Sequence, residues 1–144
     1  MLKNFTSRFA AVFALLFLIS ACERDRSPEV AAAALSGFTA AIKNADFDKA
    51  LSYYDKHFFD LMPREVWLAR LQEVNEKLGK LERIQVGDER VNTTFRGKRF
   101  IYMLHVTYSN GLATETLVLE QEPPPSEQVK IVSHKIASSK LSPM

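Results

Sequence analysis

The sequence predicts an α+β domain in which three N-terminal helices pack on a curved antiparallel sheet of about four strands. Two observations support this class. Between Val30 and Leu78, apolar residues recur at the three-and-four spacing of amphipathic helices. From Leu81 onward, apolar and polar residues alternate with the period of a half-buried strand. Helices that precede a run of hairpin-linked strands are typical of a sheet covered on one face.

Local signals place the three helices. The first is predicted from Ser27, an N-cap followed by a first-turn proline, to the region of Asn44. The second follows the cap residue Asp46 and includes the aromatic segment YYDKHFFD. The third begins at Pro63 and ends at Gly79, because glycine readily adopts the left-handed conformation that terminates helices.

Turn residues separate the predicted strands. Residues 81–95 are expected to form a strand or a bulged pair that turns at Arg96–Gly97. The next two strands are joined at Asn110–Gly111, a dipeptide that suits tight turns with positive φ at both central positions. A proline-rich loop then leads to a final strand over residues 129–137, and residues 138–144 are predicted to be a flexible tail.

The N-terminus has the layout of a secretory signal. Lys3 and Arg8 precede an apolar run that ends in small residues before Cys22, the only cysteine. This run is shorter than the roughly 20 residues that a membrane span needs. The segment Ile19-Ser20-Ala21-Cys22 resembles the lipobox of bacterial lipoproteins, which implies cleavage before Cys22 and acylation of its thiol and new amine. The alternative is an ordinary signal peptide with a nearby cysteine.

The lipoprotein resemblance implies a domain order and a location. Residues 1–21 would be the signal peptide, 22–27 a short tether, and 28–137 the folded domain. Several acyl chains would anchor the protein to the membrane. Glu23 after the cysteine implies the periplasmic face of the outer membrane.

Removal of the signal peptide leaves a neutral chain. Its two basic residues account for the formal charge of +2, so the remaining basic residues balance the 17 acidic ones. Neither nucleic acid nor an anionic surface is therefore indicated as a partner by net charge. With Cys22 acylated, no thiolate is available to ligate a metal, and no metal or other cofactor is predicted.

The order of helices and strands resembles a known superfamily. A helix with an early Trp67 and a terminal Leu78-Gly79, followed by a strand containing Glu115-Thr116 and by VKIVSHKI, is similar to the nuclear transport factor 2-like, or cystatin-like, superfamily. Within it, the chain is similar to uncharacterised bacterial envelope proteins. The resemblance implies a cone-shaped domain whose curled sheet encloses an apolar cavity, which in the enzymes of the superfamily holds an acid/base residue.

Strand alternation selects the candidate catalytic residues. Glu115 shares a strand face with apolar neighbours, so Glu115 and His105 are the first candidates for an acid/base pair, with Tyr102 or Tyr108 as hydrogen-bond donors. The alternative is that His105 lies on a solvated face. His57 and His134 are isolated histidines without carboxylates or other histidines at metal-ligand spacing.

Three functions from different classes stay open. The first is a non-catalytic lipoprotein whose domain binds an envelope protein or a small apolar ligand near the membrane. The second is a small cone-fold enzyme of isomerase or hydrolase type, and the third is a structural accessory protein with a filled core. A core filled by Phe38, Trp67 and Leu104 would remove the interior site that ligand binding and catalysis need. The basic turn Arg96–Arg99 is a candidate for headgroup contact, with a solvated turn as the alternative.

Overall fold

The computed structural model describes residues 25–123, 126 and 128–143, and within these the α+β class is confirmed. Helices precede the strands along the chain, and the four strands form one open antiparallel sheet in the order β1-β2-β3-β4. The helices are α1 (Ser27–Lys43), α2 (Phe47–Leu51), α3 (Lys56–Leu61) and α4 (Arg64–Leu78). The strands are β1 (Leu81–Thr94), β2 (Gly97–Tyr108), β3 (Gly111–Gln121) and β4 (Val129–Ala137).

The described residues form four helices where the sequence predicts three, because the second predicted helix is interrupted. Between α2 and α3 the backbone binds the edge of β4. The Asp55 amide donates to the Ile131 carbonyl at 2.9 Å, and the Ile131 amide donates to the Tyr53 carbonyl at 2.8 Å. Asp55 then caps α3 by accepting from the His57 amide at 2.8 Å. These strand-like bonds partly cover an edge that would otherwise offer unpaired backbone groups.

Helix α4 confirms the boundaries expected from the sequence. Pro63 is its N-cap and Gly79, at φ 81°, its C-cap. An added Cβ at Gly79 would lie 2.1 Å from Ser109 Oγ, so both the conformation and the close approach favour glycine. The helix buries one face in the core: Trp67, Arg70, Leu71, Val74 and Leu78.

The β2–β3 hairpin forms as predicted, but its turn lies one residue earlier. Gly111 pairs with Tyr108 across the hairpin, so Ser109 and Asn110 are the turn residues. Positive φ occurs, among the described residues, only at Ala45, Gly79 and Gly97. The prediction of positive φ at both central turn residues is therefore wrong. Tertiary bonds account for the difference, because the Ser109 amide donates to Lys80 O and the Asn110 amide to Leu78 O, both at 2.8 Å.

The core lies between the helices and one face of the sheet. The alternation predicted for β2 and β3 is confirmed, since every second residue is buried. On β2 these buried residues are Phe100, Tyr102, Leu104, Val106 and Tyr108, and on β3 they are Ala113, Glu115, Leu117, Leu119 and Gln121. Phe38, Trp67 and Leu104 are all buried in the same core. No helix within the described residues is long and apolar enough to cross a membrane.

Candidate functional site

The core contains a chain of four hydrogen-bonded polar side chains, which we call the buried quartet: Tyr54, Tyr108, Glu115 and His134. Glu115 occupies an inward position of β3, and Tyr108 lies near the turn that connects β2 to β3. The Tyr108 hydroxyl donates to Glu115 Oε1 at 2.7 Å. One carboxylate oxygen is thereby satisfied from the neighbouring strand.

His134 bridges the other carboxylate oxygen to the helical layer. Its Nε2 lies 2.9 Å from Glu115 Oε2, and its Nδ1 lies 2.7 Å from the Tyr54 hydroxyl. The side chains of His134 and Glu115 are only 1% and 7% exposed. The quartet thus joins three strands of the sheet to the segment between α2 and α3.

One arrangement of protons satisfies all the hydrogen bonds of the quartet. An ionised carboxylate only accepts, so Glu115 accepts from the Tyr108 hydroxyl and from His134 Nε2–H. Nδ1 of a neutral imidazole is then the acceptor for the Tyr54 hydroxyl. Burial raises the pKa of Tyr108, and the neighbouring Glu115 charge raises it further. Burial also raises the pKa of Tyr54 well above its ordinary value, so both phenols are hydrogen-bond donors at neutral pH.

Aromatic rings surround the imidazole of His134. The Trp67 ring lies 5.3 Å from it at 65°, and the Phe38 ring lies 5.7 Å from it at 81°. The Tyr54 ring is stacked near it at 23°. Rings at these distances and angles make favourable contacts in addition to burying apolar area. The imidazole is therefore held in place by packing as well as by hydrogen bonds.

The free space beside the quartet is small. A cavity of about 20 Å³ adjoins Glu115, His134 and Tyr108. Its other lining residues come mainly from α1, α4 and the sheet: Leu35, Phe38, Thr39, Ile42, Phe47, Leu71, Val74, Asn75, Leu81, Ile84, Leu104 and Ile136. A volume of this size holds about one water molecule. The cavity has no room for a substrate or an apolar ligand.

Only part of the predicted acid/base constellation comes together. Glu115 and Tyr108 are bonded in the core, whereas His105 is exposed on the opposite face of β2, where it pairs with Gln85 and Thr114. The pairing of His105 with Glu115 is therefore corrected to His134 with Glu115. Strand alternation is the physical reason, because neighbouring residues of β2 face opposite sides of the sheet.

Tyr102 points inward but belongs to a different environment. It lies opposite Glu89 of β1, and burial together with the Glu89 charge raises its pKa to about 12. It is not part of the buried quartet. His57 is exposed and lies 2.8 Å from Asp55 Oδ1. The predicted lipidation site, Cys22, lies outside the described residues.

His134 is the site residue that sequence reasoning missed. Strict alternation from the buried Ile131 would place His134 on the opposite face of β4. However, the register shifts between Val118 and Leu119, so that Leu119 faces Ile131 while Leu117 faces His134. The bulge carries His134 to the core face. The sequence of β4 contains no glycine or proline that would predict this bulge.

A larger concavity lies outside the core, between α1 and the inner face of β1. We call it the α1–β1 groove; it has a volume of about 700 Å³ and is open to solvent. Its lining is mostly apolar and includes Ala32, Leu35, Ile84, Val86 and Tyr102. Val86, which lines the groove, is 48% exposed.

Fold and site together define a class of protein, a small α+β domain with helices before a four-stranded antiparallel sheet and a buried carboxylate–imidazole pair. The described residues contain no group of three or more His, Cys, Asp or Glu that could hold a metal ion.

Comparison with known proteins adds information on the fold alone. No protein-family model and no curated protein matches the chain. Among solved structures, the chain is similar to Bd1075 of Bdellovibrio bacteriovorus, with a TM-score of 0.51 and 12% sequence identity. The likeness covers 76% of this chain but only 39% of that chain.

Proposed function

We propose that the protein is a lipid-anchored lipoprotein of the bacterial envelope whose domain is a non-catalytic interaction module. In this proposal Cys22 carries the lipid, the periplasmic face of the outer membrane is the location, and the domain is a cone of the nuclear transport factor 2-like type. The lipobox-like segment before Cys22 supports the anchor. The order of helices and sheet is compatible with the cone.

The observation that carries the non-catalytic assignment is the contrast between the two concavities. The cavity beside Glu115 and His134 measures about 20 Å³, whereas the α1–β1 groove measures about 700 Å³. Ligand sites in proteins usually measure about 300–1,000 Å³. The polar quartet therefore lacks substrate space, and the space that is large enough lacks the quartet.

The α1–β1 groove favours a protein partner over a small apolar ligand. Small-molecule sites bury about 70–90% of the ligand surface, which an open groove cannot do. A segment of another chain can lie along such a groove and remain partly exposed. β1 is also an edge strand of the described sheet, so its outer backbone can pair with such a segment. We assign the groove to an apolar segment of an envelope protein.

Photocrosslinking tests the groove with a matched pair of positions on α1. Ala32 lines the groove, whereas its neighbour Ala33 is also exposed but does not line it. With benzoylphenylalanine incorporated in living cells, Ala32 should give a discrete protein adduct and Ala33 should not. A lipid or small-molecule adduct at Ala32 would favour the apolar-ligand alternative. Equal labelling at the two positions would contradict the groove assignment.

Cys22→Ala tests the anchor independently. This variant should leave the membrane fraction or accumulate in unprocessed form. Mass spectrometry of the unsubstituted protein should find an acylated N-terminal residue 22. Unchanged membrane fractionation of the variant would contradict the lipid anchor.

The enzyme alternative has one observation in its favour, the buried Glu115–His134 pair with its tyrosine donors. Such a pair is suited to acid/base chemistry where a substrate can reach it. An apolar compound that binds in the core and shifts the side-chain NMR signals of His134 would favour this alternative. No such shift is expected from a filled core, which would also agree with a structural accessory role.

A further inference from the structure

The turn between β1 and β2 exposes an aromatic side chain beside a basic one. Phe95 is 93% exposed, the largest exposure of any large apolar residue that the structure describes. The Arg96 guanidinium lies over the Phe95 ring at 5.6 Å and is itself exposed. We call residues 95 and 96 the hairpin tip. An exposed aromatic ring next to a guanidinium suits a lipid–water interface, where the ring enters the acyl boundary and the cation meets phosphate.

An ion pair places the hairpin tip beside the start of the domain. The Lys98 ammonium pairs with the Asp25 carboxylate, and this contact lowers the pKa of Asp25 to about 2. Asp25 is among the first described residues and precedes α1. The turn and the N-terminal entry of the chain therefore lie at the same end of the domain.

Chain length then limits how far this end can lie from the anchor. The inference rests on the proposed function, in which the lipid is attached at Cys22. Cys22 is only three residues before Asp25. At about 3.3–3.6 Å per residue, the intervening chain spans at most about 11 Å. The turn is consequently held close to the headgroup layer.

The opposite end of the sheet serves as a comparison. β2 runs from Gly97 to Tyr108, which separates its two ends by about 35–40 Å at the usual rise per residue. Leu112, near the Ser109–Asn110 turn, is also well exposed at 69%. Leu112 is thus an exposed apolar residue far from the tether.

We propose that the hairpin tip is a second membrane contact: Phe95 inserts into the bilayer that holds the lipid anchor, and Arg96 binds lipid phosphate. The insertion orients the domain, because a lipid on a short tether holds the domain near the membrane but leaves its rotation free. Two contacts at one end set the direction of the sheet relative to the bilayer. The α1–β1 groove, which begins at Pro28 and Glu29, then opens beside the membrane surface.

Tryptophan fluorescence of the full lipidated chain in vesicles tests this contact. Phe95→Trp and the matched control Leu112→Trp are each reconstituted into phosphatidylcholine–phosphatidylglycerol vesicles, with and without brominated acyl chains. The emission of the buried Trp67, measured on the unsubstituted protein, is subtracted from both. We expect blue-shifted emission at position 95 that brominated lipid quenches, and little quenching at position 112. Arg96→Gln in the Phe95→Trp background should reduce the quenching.

The same samples distinguish a failure of the contact from a failure of the anchor. Mass spectrometry reports whether residue 22 carries acyl chains in each sample. If it does, and positions 95 and 112 are quenched equally or neither is quenched, the hairpin-tip proposal is wrong while the anchor stands. An unacylated residue 22 would overturn the anchor and with it the premise of the proposal. Both substituted positions are exposed, so the two variants are expected to fold.

Discussion

Replacement of Glu115 by glutamine should destabilise the domain even though the side chain keeps its shape. In the proton arrangement assigned to the quartet, Glu115 only accepts hydrogen bonds, and His134 Nε2, 2.9 Å from Glu115 Oε2, is a donor to it. A glutamine that still accepts from Tyr108 presents its NH₂ group to His134. The imidazole must then accept at Nε2 and carry its proton on Nδ1. The Tyr54 hydroxyl consequently loses the acceptor for its own proton.

The magnitude follows from that single unsatisfied donor. A buried polar group left without its partner costs about 1–3 kcal/mol. Tyr54 is only 4% exposed and does not line the small cavity beside the quartet, so no water is placed to replace the lost acceptor. For a domain of this size, a loss of about 2 kcal/mol lowers the melting temperature by roughly 5–10 °C. Glu120→Gln is the matched control on the outer face of β3, where Glu120 pairs with the part-exposed Arg99. Such a surface pair contributes at most about 1 kcal/mol.

Urea unfolding of both variants gives the comparison directly, because the change in midpoint at constant slope reports the change in stability. The Tyr54→Phe variant completes the test as a double-mutant cycle. In the Glu115→Gln background it exchanges one unsatisfied donor, the Tyr54 hydroxyl, for another, His134 Nδ1–H. It should therefore cost less stability there than in the unsubstituted protein, where it removes a satisfied hydrogen bond. If Glu115→Gln unfolds at the same urea concentration as Glu120→Gln, the hydrogen-bond assignment of the quartet is wrong. An equal cost of Tyr54→Phe in the two backgrounds would refute the stranded-hydroxyl argument.

Three further predictions concern other parts of the domain. Contacts with Lys77 and Arg70 lower the pKa of Glu73 to about 2, so ionised Glu73 stabilises the fold above its ordinary pKa of 4.5, and this stabilisation is lost as the pH falls towards 2. The urea midpoint of Glu73→Gln should therefore change less with pH across that range than the midpoint of the unsubstituted protein. The same pH dependence in both proteins would contradict this prediction. Arg70→Met removes the guanidinium that donates to Ser142 O at 3.0 Å and to Ile136 O at 3.4 Å. Amide hydrogen exchange in residues 138–143 should therefore be faster in this variant than in the unsubstituted protein. Equal exchange rates in the two proteins would show that Arg70 does not hold this segment. Gly97→Ala should lower the free energy of unfolding, measured in urea, by about 2 kcal/mol or more, because at φ 121° the new Cβ would lie 1.8 Å from the Gln121 carbonyl oxygen. An unchanged free energy of unfolding would show that this position tolerates a side chain without strain.

Most of the secondary structure was predictable from local signals, and the failures have tertiary causes. The limits of α4 agree with the proline and glycine at its two ends. The interrupted second helix was not predictable, because Tyr53 and Asp55 bond to Ile131, far away in sequence. Local periodicity over this segment favours one helix, and the free edge of β4 overrides it. The displacement of the turn predicted at Asn110–Gly111 has the same kind of cause, since the Asn110 amide bonds to Leu78 at the end of α4 and the Ser109 amide bonds to Lys80 just after it.

The candidate site was predictable only where strand alternation holds. Glu115 and Tyr108 lie on the expected faces of regular strands, and the structure brings them together. His134 depends on a bulge between β3 and β4, which shifts the pairing by one residue and reverses the face that it occupies. Tyr54 depends on the interruption between α2 and α3. Half of the quartet therefore rests on irregularities that only the assembled sheet reveals.

The bulge in β4 and the interruption between α2 and α3 both place members of the quartet, which suggests that the quartet fixes these two features. Replacing the quartet with apolar residues tests this structural role. A buried polar network is often no more stabilising than a well-packed apolar cluster, but removal of one partner from it is costly. Replacing all members together, with Tyr54→Phe, Tyr108→Phe, Glu115→Leu and His134→Leu, should therefore cost less than the sum of the single substitutions. If the quartet only fixes the β4 register and the position of the α2–α3 segment, this variant should still give the protein adduct proposed for Ala32 in the groove. A folded variant that has lost the adduct would show instead that the quartet takes part in the function.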